Sequence, residues 1–205
     1  MVTVIKSEHR PSYREALNAM HRHRKQVFVD FLKWDVPVVD GQYEIDQFDT
    51  EAAVYLMAMD PTTQSHLGSV RLLPSTGPHL LRDLFPHLCA ESVPVAADIW
   101  EITRLCTAPK AAEPKRVLEQ LATSVMEFGL LYGVKQFTCV AHLAWLNQIL
   151  AAGWECEPLG LPQIIDGEHV GAVVIKVSTQ SLQILRERLK FTQPLLRIPE
   201  VSKAA

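Results

Sequence analysis

The chain contains no Gly-x-Gly-x-x-Gly run and no Walker loop, so neither glycine-built route to a nucleotide phosphate is open to it. Its histidines form no H-E-x-x-H pair and there is no Gly-x-Ser-x-Gly elbow, which argues against zinc and serine hydrolases of those types. The four cysteines, Cys89, Cys106, Cys139 and Cys156, are scattered without a C-x-x-C spacing. Zinc sites need close paired ligands, so neither a metal site nor structural disulfides are expected, and reduced thiols in a cytoplasmic setting are. Cys139, inside an apolar run, reads as a small buried hydrophobe. No apolar stretch approaches the roughly 20 residues that span a bilayer. Met1-Val2-Thr3-Val4-Ile5-Lys6 meets its first charge too soon for a signal peptide. A basic excess is missing as well: the net charge is -3, which points away from nucleic acid.

What is present suits one globular domain spanning residues 1–205, long enough to bury a sizeable core. Residues 2–6 alternate as a short strand. Residues 11–32 read as a helix whose apolar face is Tyr13, Leu17, Met20, Val27, Phe28 and Phe31. Trp34 to Tyr43 holds Pro37 and Gly41 and reads as loop. Val54 to Met59 and His66 to Leu73 are strands joined by the turn at Asp60-Pro61-Thr62-Thr63, a hairpin. A short helix at 80–85 and a strand near Asp98–Cys106 follow. Val117, Leu121, Val125, Phe128 and Tyr132 recur at helical spacing over 115–132, and Gly133 supplies the stop. Then come a buried strand at Phe137–Ala141, a helix over 143–152 closed by Gly153, a strand at Val170–Val177, a helix over 180–190 and a tail of about a dozen residues. Antiparallel strands first, then strand-helix alternation, predict an α/β fold: a three-layer αβα sandwich with one mixed sheet and helices on both faces.

Chemistry concentrates in two clusters. Asp46 and Asp49 are three apart and would share a face in a turn of helix; they are either a solvated acidic turn or a pair held by an organic cation or an arginine. A calcium loop would need alternating ligands and a glycine that are missing. Arg24 and Phe28, at i and i+4, share a face, and Phe28 and Trp34 are either core aromatics or walls for a cationic ligand. Glu101 and Arg104 would face opposite sides of a regular strand, so they are either a surface ion pair or residues brought together by a bulge. Trp100 and Ile102 make the stretch at least half buried. Arg71, between Gly68-Ser69-Val70 and Leu72-Leu73, either snorkels to the sheet edge or pairs with Glu101 or Asp46. Acids, arginines and aromatics in this mixture suit a small ligand carrying both a positive charge and a carboxylate.

In order and spacing, Arg24-Lys-Gln-Val-Phe28, Trp34, Glu44-Ile-Asp46-Gln-Phe-Asp49, Val54-Tyr-Leu, Arg71-Leu-Leu-Pro, Asp83-Leu-Phe-Pro and Trp100-Glu101-Ile-Thr-Arg104 resemble the acyl-homoserine lactone synthases, from about residue 10 to residue 178. The resemblance implies a fold similar to the N-acetyltransferases. It implies a reaction in which the amine of S-adenosyl-L-methionine attacks an acyl thioester, after which its carboxylate closes the lactone and expels 5′-methylthioadenosine. It places S-adenosylmethionine binding in residues 1–50, with Asp46 and Asp49 at the cationic end, Arg24 or Arg104 on the carboxylate, and Phe28 and Trp34 over the adenosyl and sulfonium region. Glu101 is the first candidate for the base and Asp46 the second, with Arg71 orienting either.

Residues 100–190 are expected to bind the acyl donor, with Cys139, His142 and Trp145 in the acyl pocket. Cys139 stands where a threonine is frequent in 3-oxo-acyl producers, and Trp145 where methionine is frequent. Trp145 with Pro158-Leu-Gly-Leu-Pro162 resembles the branch that takes branched-chain or aryl acyl-coenzyme A, so acyl-CoA is favoured over acyl carrier protein as donor. Lys110, Lys115 and Arg116 would meet a pantetheine phosphate, an acidic carrier protein or only solvent. No cofactor or metal is implied, and no nucleic-acid or membrane partner. Two other readings remain: an N-acyltransferase of similar fold that acylates another amine without forming a lactone, and a non-catalytic binding protein on the same scaffold.

Overall fold

Val54–Met59 carries apolar or aromatic residues at every position and is buried at every position, as a strand covered on both faces must be. Other elements form around it in the computed structural model, which describes residues 1–200. In chain order these are β1 (Val2–Ile5), a 3₁₀ turn (Ser7–Tyr13), α1 (Arg14–Arg24), a π-helical stretch (Lys25–Phe31), β2 (Val38–Val39), β3 (Tyr43–Glu44), β4 (Val54–Met59), β5 (His66–Pro74), α2 (Leu80–Asp83), a 3₁₀ turn (Pro86–Leu88) and β6 (Ile99–Thr107). Next come α3 (Pro114–Tyr132), β7 (Gln136–His142), α4 (Leu143–Leu150), β8 (Cys156–Pro158), β9 (Gln163–Ile165), β10 (Glu168–Lys176), α5 (Thr179–Leu189) and β11 (Leu196–Arg197).

The contacts gather these elements into two compact units. One comprises Met1–Arg71, Arg104–Ser124 and the chain from Leu195; the other comprises Leu72–Thr103 and Val125–Pro194. In the first unit the strand order is β11-β1-β4-β5-β6, with β1 parallel to β11 and antiparallel to β4. In the second it is β5-β6-β7-β10-β8, with β6 parallel to β7 and β10 antiparallel to β7, β8 and β9. The sheet is therefore mixed, and helices cover both of its faces. Gly68 of β5 faces α3 so closely that a Cβ there would lie 2.6 Å from Val117 Cγ1. Arg71, three residues on, faces the opposite side and reaches the α1 layer. In the second unit, Trp100, Ile102, Phe137 and Cys139 line one face, where Trp100 meets Phe128 of α3. Glu101 and Thr138 line the other, towards α2.

Several expectations are corrected. The first helix is not continuous from residue 11: Pro11 sits in a 3₁₀ turn, and regular α geometry starts at Arg14. After Arg24 the turns widen, with the Leu32 N–H donating to the Val27 carbonyl five residues back at 2.9 Å. The widening changes the helical phase and leaves Phe31, assigned to the apolar face, 80% exposed. The expected loop at 34–43 contains a hairpin, Val38 opposite Glu44 and Val39 opposite Tyr43. Asp40 and Gly41 both have positive φ (50° and 66°), and the Gln42 N–H donates to the Val39 carbonyl, the I′ turn that matches strand twist. The tail is partly structured: Leu195 is buried and β11 pairs with β1. Strands of two or three residues, such as β8, β9 and β11, are too short to leave a periodicity. The last five residues of the expected tail lie outside the described residues.

Candidate active site

The turn after β3 builds its own acid cluster. Asp46 Oδ1 accepts the Phe48 N–H at 2.9 Å, and Asp49 Oδ2 accepts the Asp46 N–H at 2.9 Å, so each carboxylate is oriented by nearby backbone. The β2–β3 hairpin brings in a third acid, Glu44, which is fully buried.

Three arginines close on these three acids. Arg24, from the end of α1, donates from Nη1 and Nη2 to the two oxygens of Asp49 (2.8 and 2.9 Å) and pairs with Glu44. Arg71, from β5, donates from Nη1 and Nη2 to Asp46 (2.6 and 3.0 Å), and its Nη1 lies 2.8 Å from Asp49. Arg104, from β6, donates from Nε to Glu44 at 3.0 Å and from Nη2 to Asp46 at 2.7 Å. Tyr55 of β4 adds a hydroxyl to Asp49 Oδ1 at 2.8 Å. Asp46 and Asp49 are thus neither a solvated turn nor open cation ligands. The cation between them is Arg71, and every oxygen they carry is already engaged.

The six groups are buried and balance, three positive against three negative. Such a set is worth little relative to an apolar replacement, but the loss of one member strands a buried charge. Burial alone would lower the pKa of Arg24, yet Asp49 and Glu44 more than offset it and raise it. Arg71 goes the same way, burial opposed by its bonds to Asp46 and the charge of Asp49. Asp49 moves below the usual carboxylate range, because Arg24 and Arg71 outweigh its burial.

Arg104 is the exception. Burial, Arg71 and Arg24 together outweigh Glu44 and Asp46 and lower its pKa, so it is the least neutralised member. It is also the most exposed of the three arginines, at 7%, and its Nη1 has no partner among the described residues. Its backbone takes φ +53°, left-handed within a strand, the local distortion of a bulge. Phe28 and Trp34 stack with ring centroids 4.8 Å apart, and the Arg104 guanidinium lies 5.4 Å from the Phe28 centroid and 5.9 Å from that of Trp34. The Trp34 N–H donates to the Phe28 carbonyl at 2.8 Å, which fixes the stack from the end of the π-helical stretch. The result is a donor aimed away from its own network beside an aromatic wall.

In the second unit, Glu101 is fully buried. Its oxygens accept the N–H groups of Leu80 (2.8 Å) and Leu81 (2.7 Å), at the start of α2. Two backbone donors hold it as an oriented carboxylate. The residues assigned to the acyl pocket do not share one face. Cys139 is buried towards α3, and burial pushes its thiol up to about 12. His142 ends β7 on the opposite strand face, 3.9 Å from Glu168, and Trp145 on α4 is 41% exposed. Strand alternation separates Cys139 from His142. Lys110 and Lys115 are exposed near the start of α3, and Arg116 pairs with Glu119 at 3.2 Å.

The sequence reading missed Glu44, Tyr55 and the two α2 amides. Glu44 stood only as the first residue of the Glu44-Ile-Asp46-Gln-Phe-Asp49 motif, with no role assigned to it. Three histidines near the first cluster were also passed over. His23 and His66 touch through their Nδ1 atoms at 2.8 Å, and the His21 Nδ1 contacts the Glu44 carbonyl at 2.9 Å. Burial, then His23 and His21, push His66 down to about 3; burial and the neighbouring arginines also lower His21 and His23. These groups are neutral in the fold and take up protons in the unfolded chain. Stability from them is complete above pH about 6.5 and falls as pH drops towards about 3. Urea midpoints between pH 7 and pH 4 check this: His66→Asn is expected to flatten the decline, and an unchanged slope would exclude His66 as its source.

A family profile described as autoinducer synthase matches residues 8–185. The isovaleryl-homoserine lactone synthase of Bradyrhizobium diazoefficiens is 30% identical over 190 residues, 92% of this chain and 85% of that protein. The structure of a CoA-dependent acyl-homoserine lactone synthase, BjaI, with S-adenosylmethionine and isopentyl-CoA superposes with a TM-score of 0.89 at 29% identity, covering 97% of this chain and 93% of the other. A second CoA-dependent synthase, MesI, gives 0.87 at 28% identity, with 96% and 98% covered. At the level of fold alone, a Lactobacillus plantarum chain assigned to the N-acetyltransferases matches with a TM-score of 0.58 at 18% identity, over 86% of this chain and 99% of that one.

Proposed function

The chain belongs to the autoinducer synthase family, and we propose that it joins S-adenosyl-L-methionine to an acyl group delivered on coenzyme A and closes the product to an acyl-homoserine lactone. It is an acyltransferase. The amine forms a bond to the thioester carbonyl carbon, the C–S bond breaks, and coenzyme A leaves as a thiol. The carboxylate then attacks the γ-carbon, and the S–C bond breaks to release 5′-methylthioadenosine as a neutral thioether. All reacting atoms come from the two substrates, so the reading includes neither cofactor nor metal, and it places the enzyme in the cytoplasm. Among the described residues no helix is long and apolar enough to cross a membrane.

One observation carries the assignment of S-adenosylmethionine: Arg104, with its unpartnered Nη1, against the stacked Phe28 and Trp34. A carboxylate takes Nη1, and the rings cover the sulfonium and adenosyl portion. Arg104 is preferred to Arg24 for the carboxylate, because all three nitrogens of Arg24 are spent on Glu44 and Asp49. Asp46, Asp49 and Arg71 then act as the frame that aims Arg104, and Asp46, with both oxygens bound by arginines, is a poor base. Glu101 takes the ammonium proton, through a water. Residues 1–50 supply most of the S-adenosylmethionine side, and residues 100–190 the acyl side, where Cys139 beside Ile102 supports an apolar lining for an acyl chain without a 3-oxo group. The relatives that use isovaleryl and isopentyl groups favour a short branched chain on coenzyme A.

Mass spectrometry of purified protein with S-adenosylmethionine and a panel of acyl-CoA and acyl-carrier-protein donors tests this. The expected result is a branched-chain lactone from acyl-CoA with equimolar 5′-methylthioadenosine. Acylation without methylthioadenosine would instead establish a plain N-acyltransferase.

A further inference from the structure

His79 immediately precedes the two residues whose amides hold Glu101, and nothing in the reaction as described uses it. It is fully buried. Its Nδ1 lies 3.0 Å from the Gly77 carbonyl, and a carbonyl only accepts, so Nδ1 carries the proton. The opposite nitrogen, Nε2, is then a bare lone pair. It too is buried, and it meets no hydrogen-bond partner among the described residues. A buried polar atom left unpaired costs about 1–3 kcal/mol, so a partner for it is expected. The His79 N–H is 3.2 Å from Asp83 Oδ2, which ties the turn at its far end. The next two amides, of Leu80 and Leu81, donate to Glu101.

We propose that His79 is a positioning residue for the proton transfer that Glu101 performs: its Nε2 lone pair accepts a hydrogen bond from the water that carries the ammonium proton. A water whose hydrogens are committed to acceptors turns its own lone pairs outward, the orientation needed to receive a proton from the substrate amine. The balance is simple. The ammonium loses one proton to the water, the water passes one of its own to the Glu101 carboxylate, and His79 gains and loses none. The imidazole must stay neutral for this. Burial and Arg82 disfavour its charged form, against the Gly77 carbonyl and Asp83, and the net shift is downward.

The inference rests on the synthase reading above and is tested separately from it. In His79→Asn the amide nitrogen stands in for Nδ1 and keeps the Gly77 bond while Nε2 is lost; in His79→Gln an acceptor is retained near the Nε2 position. Expected are a fall in kcat of about tenfold in the Asn variant, with KM for both substrates within about twofold, and recovery of most of it in the Gln variant. The acidic limb of the kcat/KM profile should move in the Asn variant while its thermal midpoint stays close to that of the parent. Full activity in His79→Asn would overturn the proposal, as would losses in KM and thermal midpoint that track the loss in kcat. Nitrogen-15 NMR of the unaltered protein gives a readout independent of turnover: Nε2 must be unprotonated and hydrogen-bonded, and a proton on Nε2 refutes the idea even if the lactone is made. A protein that makes no lactone but shows that NMR signature would sink the synthase reading and leave the tautomer assignment standing.

Discussion

Replacing Glu101 with Gln is expected to lower kcat by about a hundredfold or more, the usual contribution of a positioned general base. The shape is nearly unchanged, but the chemistry of the α2 clamp is not. The carboxylate receives two backbone N–H groups, from Leu80 and Leu81. An amide has one accepting oxygen and presents its NH₂ to the second donor, which leaves a buried N–H unpaired. The stability cost is therefore about 1–3 kcal/mol. Release of 5′-methylthioadenosine, followed alongside thermal unfolding, separates the two effects. Product formation at the parental rate would remove Glu101 from the mechanism, whatever happened to stability.

The largest effect on stability is expected from Arg24→Met. The substitution keeps most of the apolar bulk but removes one of three positive charges from a set that balances only when complete. Glu44 loses one of its two arginines and Asp49 loses a bidentate partner, both in a buried setting. Breaking a buried pair in this way costs about 3–5 kcal/mol, which for a chain of this size corresponds to a fall of roughly 10 °C in thermal midpoint. Adding Asp49→Asn restores the balance of charge, so the double variant should be less destabilised than the sum of the two single ones. Additive losses would mean that Arg24 and Asp49 contribute independently, and the account of a closed set would fall.

How far the sequence led depends on the length of each element. α3 could be read almost to the residue, because its apolar positions repeat over five turns and Gly133, at φ +71°, ends it. Positions 71, 101 and 104 stood out for a physical reason: charges inside apolar strands demand partners. Their partners were legible only as alternatives: of the two named for Arg71, Asp46 binds its guanidinium while Glu101 accepts the amides of Leu80 and Leu81, and Asp49 was not named for it at all. Arg71 pairs with Asp46 and Asp49 because β5 and the turn after β3 meet in three dimensions, and spacing along the chain carries no record of that. The hairpin that delivers Glu44 was announced by Asp40-Gly41, yet its strands of two residues are below any periodic signal. The division of Cys139 from His142 onto opposite strand faces follows from the period of two once β7 is placed.

The π-helical stretch from Lys25 to Phe31 has a consequence for how the chain can change over time. A wide turn is what remains when a helix accommodates one residue more than α spacing holds. Deleting any one residue there would let the helix tighten into ordinary α geometry without breaking its backbone. It would also turn everything beyond it, and Trp34 would leave Phe28. Most side chains in between, among them Gln26, Asp30, Phe31, Leu32 and Lys33, are exposed and make few demands on identity. What this stretch must keep is its length: ten residues' worth of path from Arg24 to Trp34. Away from Phe28 substitutions there are cheap, whereas a gap of a single residue is not.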